Sequence, residues 1–204
     1  MIDRLWDMSA VYRLWQSPFE RQKFEPARHA LAGLDVQSVL DIGCGPGTNA
    51  GHFEDVAYVG VDLNPAYISS ARKRFGDRFV VGDASRDLPD SGAPYDVILV
   101  NSLLHHLDDD QVAGTLRGAT ALLAEGGAIH VLDLELPSRR SVARFLAEHD
   151  RGDYVRPRER WRALLDSLVD VEIFQPYPLG IRGRALWNMF YARATAQSAV
   201  TSAT

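Results

Sequence analysis

Strand followed at once by glycine loop is written into Val39-Leu40-Asp41-Ile42-Gly43-Cys44-Gly45-Pro46-Gly47-Thr48. A short apolar run carrying an acid passes directly into three alternate glycines. That order reads as a buried β-strand feeding a nucleotide-binding turn, where glycine admits backbone conformations other residues resist and lets a ligand approach the main chain. Residues 48–53 are expected to open a helix whose N-terminal amides face the ligand.

The 204 residues fit one domain with a small appendage, and 46% hydrophobic residues can bury a substantial core. A formal net charge of −5 argues against a surface devoted to nucleic acid or acidic lipid. The one cysteine, Cys44, allows no internal disulfide and suits a reducing, cytoplasmic setting. No apolar run approaches the ~20 residues of a membrane span, and the charges in residues 1–7 are unlike a signal peptide.

Residues 1–36 read as amphipathic helix, with Pro26 interrupting or starting a segment that continues to Leu34. From residue 38 strand, loop and helix alternate: strands at 38–42, 57–61, 79–81, 95–100 and 128–136, helices at 66–75 and 111–123. Short, continuous apolar strands in such alternation argue for an α/β fold with a parallel sheet covered on both faces. A charged segment, 138–157, holds a short helix at 141–148, and another helix spans 158–168. Strands at 171–174 and 185–192, joined through Pro176-Tyr177-Pro178-Leu179-Gly180, read as an antiparallel edge hairpin. The small, polar tail at 194–204 is expected to be disordered.

The loop by itself is weak evidence for a particular ligand, because Gly45-Pro46-Gly47-Thr48-Asn49-Ala50 also satisfies the dinucleotide pattern G-x-G-x-x-G/A. Three features turn the reading away from a nicotinamide cofactor. Asp41 sits just before the loop, placed for loop amides or a ligand ammonium and unhelpful beside a pyrophosphate. Asp83 ends the third strand, where it can meet a base. A dehydrogenase would need a substrate domain for which these residues leave no room. Asp62 ends strand two, about 20 residues past the first glycine, where an acid accepts from both ribose hydroxyls.

With these residues in place, the chain resembles a class I S-adenosylmethionine-dependent methyltransferase. The matching segments are 39–47, Gly60-Val61-Asp62-Leu63-Asn64-Pro65, Val81-Gly82-Asp83-Ala84, 95–102 and Leu123-Ala124-Glu125-Gly126-Gly127, in the family's order and spacing. The resemblance implies a Rossmann-like seven-stranded sheet of order 3-2-1-4-5-7-6, strand seven antiparallel, with helices on both faces. It divides the chain into an N-terminal helical lid (1–36), a cofactor-binding domain (37–193) and the tail. It also implies roles: Gly43, Cys44 and Gly45 lie against the methionine part of S-adenosylmethionine, with Asp41 helping to hold the loop. Asp62 takes the ribose, Leu63 and Asn64 lie by the adenine, Asp83 accepts from its amino group, Ala84 supplies a backbone amide, and the Asn101 carbonyl faces the cofactor ammonium.

Methyl transfer needs alignment above all, and a base where the acceptor is a hydroxyl or an acidic carbon. Reactive groups in open α/β sheets gather at the carboxyl ends of strands. There lie Asn101-Ser102-Leu103-Leu104-His105-His106 after strand four and Leu132-Asp133-Leu134-Glu135 in strand five. His105 is the candidate base or acceptor-orienting residue, and Asp133 the carboxylate to orient it or bind the acceptor. The alternative for Asp133 is an ion pair with Arg139 or Arg140. No metal site is expected. Tyr12 and Trp15 of the lid are the candidate acceptor contacts. The absence of Asn/Asp-Pro-Pro-Tyr after strand four disfavours methylation of nucleobase amines. The resulting expectation is a methyltransferase, monomer or homodimer, acting on a small molecule through oxygen or carbon rather than nitrogen. Its rival is a protein that binds the cofactor as a scaffold or uses it without transferring the methyl group.

Overall fold

Each apolar run of the alternating region becomes a strand, and the runs assemble into one sheet. A computed structural model describes residues 19–90, 92–149, 152–181 and 183–197. In chain order the elements are α1 (Glu20–Leu31), β1 (Ser38–Ile42), β2 (Ala57–Asp62), α2 (Pro65–Phe75), β3 (Phe79–Val81), β4 (Tyr95–Asn101), α3 (Asp109–Ala121), β5 (Leu123–Leu134), α4 (Val142–Glu148), α5 (Arg158–Asp166), β6 (Asp170–Ile181) and β7 (Arg184–Thr195). The sheet order is β3-β2-β1-β4-β5-β7-β6, with β7 antiparallel to both neighbours. Order and polarity are those implied by the resemblance.

Side chains of a strand alternate between faces, so the sheet has two cores. On one face Leu40, Ile42, Ile98, Val100, Ile129 and Val131 meet α3 and α5 through Val112, Leu116, Trp161 and Leu165. On the other, Val39, Leu99 and Leu132 meet Phe24 and Ala27 of α1 and Ile68 and Ala71 of α2. Helix starts follow local chemistry. The Asn64 side chain accepts from Ala66 N with Pro65 behind it, and Asp108 with Gln111 closes a capping box that starts α3 two residues before the expected Gln111.

Five expectations need correction. Residues 48–53 form only a single 3₁₀ turn, Ala50–His52. Glycine-rich sequence disfavours helix, and so short a segment cannot repay nucleation before β2 begins at Ala57. Helix α1 runs through Pro26 and ends at Leu31; burial of Phe24 and Ala27 on either side holds it despite the missing N–H. β5 starts at Leu123, passing Gly126 by a register shift against β4. The segment 176–180 is no connection but part of β6, with Pro176 opposite Phe190 and Pro178 opposite Asn188. β6 is the sheet's edge strand, where proline is tolerated because it need not donate outward. β7 likewise continues through Ala194 and Thr195, into the expected tail, by pairing with Ile129, Val171 and Asp170. Residues 198–204 and 1–18 lie outside the described residues, as do the lid candidates Tyr12 and Trp15. Among the described residues no helix is long and apolar enough to cross a membrane.

One buried group carries a pH signature. His130 sits in β5 with its Nδ1 2.9 Å from the Tyr191 hydroxyl. Burial, with Arg193 nearby, pushes its imidazole down from 6.5 to about 4. Between those values the unfolded chain binds a proton that the folded chain refuses, so His130's contribution is intact above 6.5 and is lost as pH falls towards 4. In urea denaturation, wild type should lose about 2–3 kcal/mol relative to His130→Asn between pH 7 and 4.5. An unchanged difference would mean that His130 titrates normally.

Candidate active site

The glycine loop joins β1 to the 3₁₀ turn at the carboxyl edge of the sheet. Gly43, Gly45 and Gly47 all take positive φ, of 73°, 54° and 81°. At Gly45 a side chain would enter open space, with nothing within 4 Å; this is the side from which a ligand can reach the backbone. The amides of Gly43 and Cys44 donate to Val61 O at 2.8 and 3.0 Å. The Gly45 amide donates instead to Asp62 Oδ2 at 2.9 Å. Asp62 Oδ1 accepts from Asn64 N at 2.8 Å. An ionised carboxylate offers about four lone-pair directions, and two backbone amides use two of them. Each oxygen therefore keeps acceptor capacity for one hydroxyl of a ribose. Beside it Leu63 is 69% exposed, an apolar platform suited to a base. These residues fit S-adenosylmethionine.

The other candidates distribute unevenly. Cys44 is buried, and burial pushes its thiol well above the usual range, so it acts through size. Asp83 Oδ1 accepts from Ser85 N and Oγ at 3.0 and 2.7 Å, closing a turn that presents half-buried Ala84. Asp83 thus closes a turn, with its other oxygen 3.4 Å from Arg86. Asp41 reaches no loop amide. Its carboxylate is fully buried, taking the Tyr58 hydroxyl at 2.5 Å and Asn49 Nδ2 at 3.1 Å. Burial, only partly offset by those bonds, pushes it up to about 6. The reason is strand parity: Asp41 shares the face of Val39, under the loop rather than in it. It acts on the site through Asn49, whose Oδ1 accepts from Asn101 Nδ2 at 3.0 Å. Asn49 and Tyr58 carry no sequence signal beyond the rule that a buried acid needs partners.

At the ends of β4 and β5 the structure brings His105 and Asp133 together. His105 Nδ1 lies 2.6 Å from Asp133 Oδ1, and Asp133 Oδ2 accepts from Leu104 N at 2.7 Å. The Arg139/Arg140 alternative is replaced: Arg158 takes the neighbouring Glu135 in a two-point pair at 2.9 and 3.0 Å. His105 is 4% exposed, covered by the strap that follows α4. Tyr154 N donates to His105 O at 3.0 Å. Arg156, over the Trp161 ring at 4.6 Å, donates to Leu107 O at 2.8 Å and to Asp109 Oδ1 at 2.9 Å. The strap approaches so closely that a Cβ on Gly152 would lie 2.2 Å from His105 Cδ2 and 2.6 Å from His105 O. Gly152→Ala should therefore cost about 1–3 kcal/mol in thermal unfolding and lower turnover by displacing the imidazole. Unaltered melting and turnover would show that strap and imidazole are not in register. Among the described residues no group of three His, Cys, Asp or Glu side chains can hold a metal ion.

Fold and site define an open, Rossmann-like α/β domain whose carboxyl edge fits an adenosine-type cofactor. Residues 39–127 match the family described as "Methyltransferase domain". Among curated proteins, the trans-aconitate 2-methyltransferase of Methylobacterium radiotolerans is 36% identical over 55% of this chain and 45% of its own. An uncharacterised methyltransferase of Mycobacterium tuberculosis is 32% identical over 55% of this chain and 58% of its own. The chain thus spans about half the length of the curated relatives it matches. An S-adenosylmethionine-dependent methyltransferase structure from Methanosarcina mazei shares the fold with a TM-score of 0.68, at 16% identity, over 85% of this chain and 98% of that one. Residues 39–127 thus carry a methyltransferase domain, and the described residues have the fold of S-adenosylmethionine-dependent methyltransferases, whose cofactor is S-adenosylmethionine.

Proposed function

We propose that this domain methylates a small-molecule acceptor at oxygen or carbon. The observation that carries the reading is the buried His105–Asp133 pair, at 2.6 Å, beside strand ends that also present Asn101 and Asp62. When bound, S-adenosylmethionine supplies a methyl group already activated on a sulfonium. This chain's residues have to orient the acceptor, exclude water and manage one proton. Asp133 at Nδ1 favours the proton on that nitrogen and leaves Nε2 as the basic one. His105 then accepts the proton of an acceptor hydroxyl or acidic C–H. A neutral amine needs no such base before attack, so a positioned His–Asp pair favours oxygen or carbon. The strap of residues 152–156 keeps water from the imidazole. Asn101 and Asp62 would hold the ammonium and ribose ends. The relative named for trans-aconitate acts on a small carboxylic acid, which supports a small acceptor without specifying it.

The test is incubation with methyl-labelled S-adenosylmethionine and a panel of small carboxylic acids, phenols, β-dicarbonyl compounds and amines. Label should pass to oxygen or carbon acceptors. Label only on amines would overturn the acceptor assignment. Acceptor conversion without label would support a reaction that uses the cofactor without methyl transfer.

A further inference from the structure

A hydrogen-bonded chain runs from the N-terminal helix to the buried carboxylate beneath the loop. Lys23 Nζ of α1 donates to Ser102 Oγ at 3.0 Å. Ser102 Oγ donates to Asn101 Oδ1 at 3.2 Å. Asn101 Nδ2 donates to Asn49 Oδ1 at 3.0 Å, and Asn49 Nδ2 to Asp41 Oδ2 at 3.1 Å. Every bond points the same way, from an ammonium to a carboxylate, the arrangement in which successive bonds polarise one another. The direction is fixed by its end. An ionised carboxylate only accepts, so Asn49 turns its amide nitrogen to Asp41 and its oxygen to Asn101. Asn101 must then turn its nitrogen to Asn49 and its oxygen towards Ser102.

Two further observations mark the helix end as built. Ser102 has φ +57°, the only positive φ at a non-glycine among the described residues. Such a conformation persists only where its surroundings hold it. Lys23 is fixed from behind as well: its carbonyl accepts the Tyr177 hydroxyl at 2.8 Å, and burial beside Asp133 keeps that hydroxyl protonated.

We infer that Lys23 is a positioning residue that couples docking of α1 to cofactor affinity, by fixing which end of the Asn101 amide faces the cofactor ammonium. The inference rests on the cofactor reading above. Helix α1 thereby contributes to the methionine end of the site.

Calorimetric titration with S-adenosylhomocysteine tests it, on the whole chain. Lys23→Met should weaken binding about tenfold, and Lys23→Arg should restore most of the loss. Ser102→Gly removes the hydroxyl and relieves the backbone, so it should melt no lower than wild type yet bind as weakly as Lys23→Met. The two substitutions combined should again cost about tenfold, since either cuts the same chain. Lys23→Met and Ser102→Gly binding like wild type, or losses that multiply to about a hundredfold, would overturn the coupling while leaving the cofactor reading intact. Wild-type protein with no measurable affinity would overturn both.

Discussion

Asp62→Ala should weaken S-adenosylhomocysteine binding by at least ~100-fold, because the carboxylate serves two customers at once. It accepts from the Gly45 and Asn64 amides, and its remaining lone pairs are the ones a ribose would use. Hydrogen bonds to a charged group contribute roughly 1.5–3 kcal/mol each, so losing two ribose contacts alone amounts to about two to four orders of magnitude. The loop would also lose the tether at the Gly45 amide. Asp62→Asn keeps one acceptor oxygen and should fall between. Calorimetry measures both; an Asp62→Ala variant that binds within threefold of wild type would remove Asp62 from the site.

His105→Ala should lower kcat by about 10²–10⁴ while S-adenosylhomocysteine binding stays within about threefold. Asp133→Asn should reproduce most of that loss, because an amide at 2.6 Å from Nδ1 no longer dictates where the imidazole carries its proton. Asp133 also accepts from Leu104 N, so the variant's melting temperature must be followed to separate chemistry from folding. The decisive readout is the pH profile. If His105 is the base, its loss flattens the acidic limb of kcat, and a more acidic acceptor recovers part of the rate. Wild-type kcat in His105→Ala would leave the pair a packing element under the strap.

What the residues disclosed in advance was chiefly local. Apolar runs of five to seven residues bounded by glycine or proline marked β1, β2 and β4 nearly to their ends, and Asn64-Pro65 marked the start of α2. The place of Asp62 was legible because it ends its own strand, β2. Asp41 was legible as an acid near the loop but not as a buried one. Its partners, Tyr58 and Asn49, are 17 and 8 residues away, and strand parity alone does not say which residue fills the space beneath a turn. Residues 48–53 make only one 3₁₀ turn because nearby glycines and the short span before β2 do not support a helix. The Lys23–Ser102 link spans 79 residues, a separation at which sequence pattern carries no pairing information. The pairing of His105 with Asp133 was visible as an option from topology, since adjacent parallel strands β4 and β5 end side by side. Its cover, the strap held by Arg156 and Gly152, was not, because close approach of two backbones leaves no trace except a glycine.

The two prolines of β6 bear on how copies of this domain can meet. Pro176 and Pro178 stand at alternate positions, so their nitrogens face the same way, and the pairing of residues 173–179 with β7 is unbroken. Those nitrogens therefore face outward, and the rim they line lacks two of the donors an incoming strand would need. The opposite rim, β3, is only three residues long. Both borders of the described sheet therefore disfavour addition of a strand from a second molecule at these positions.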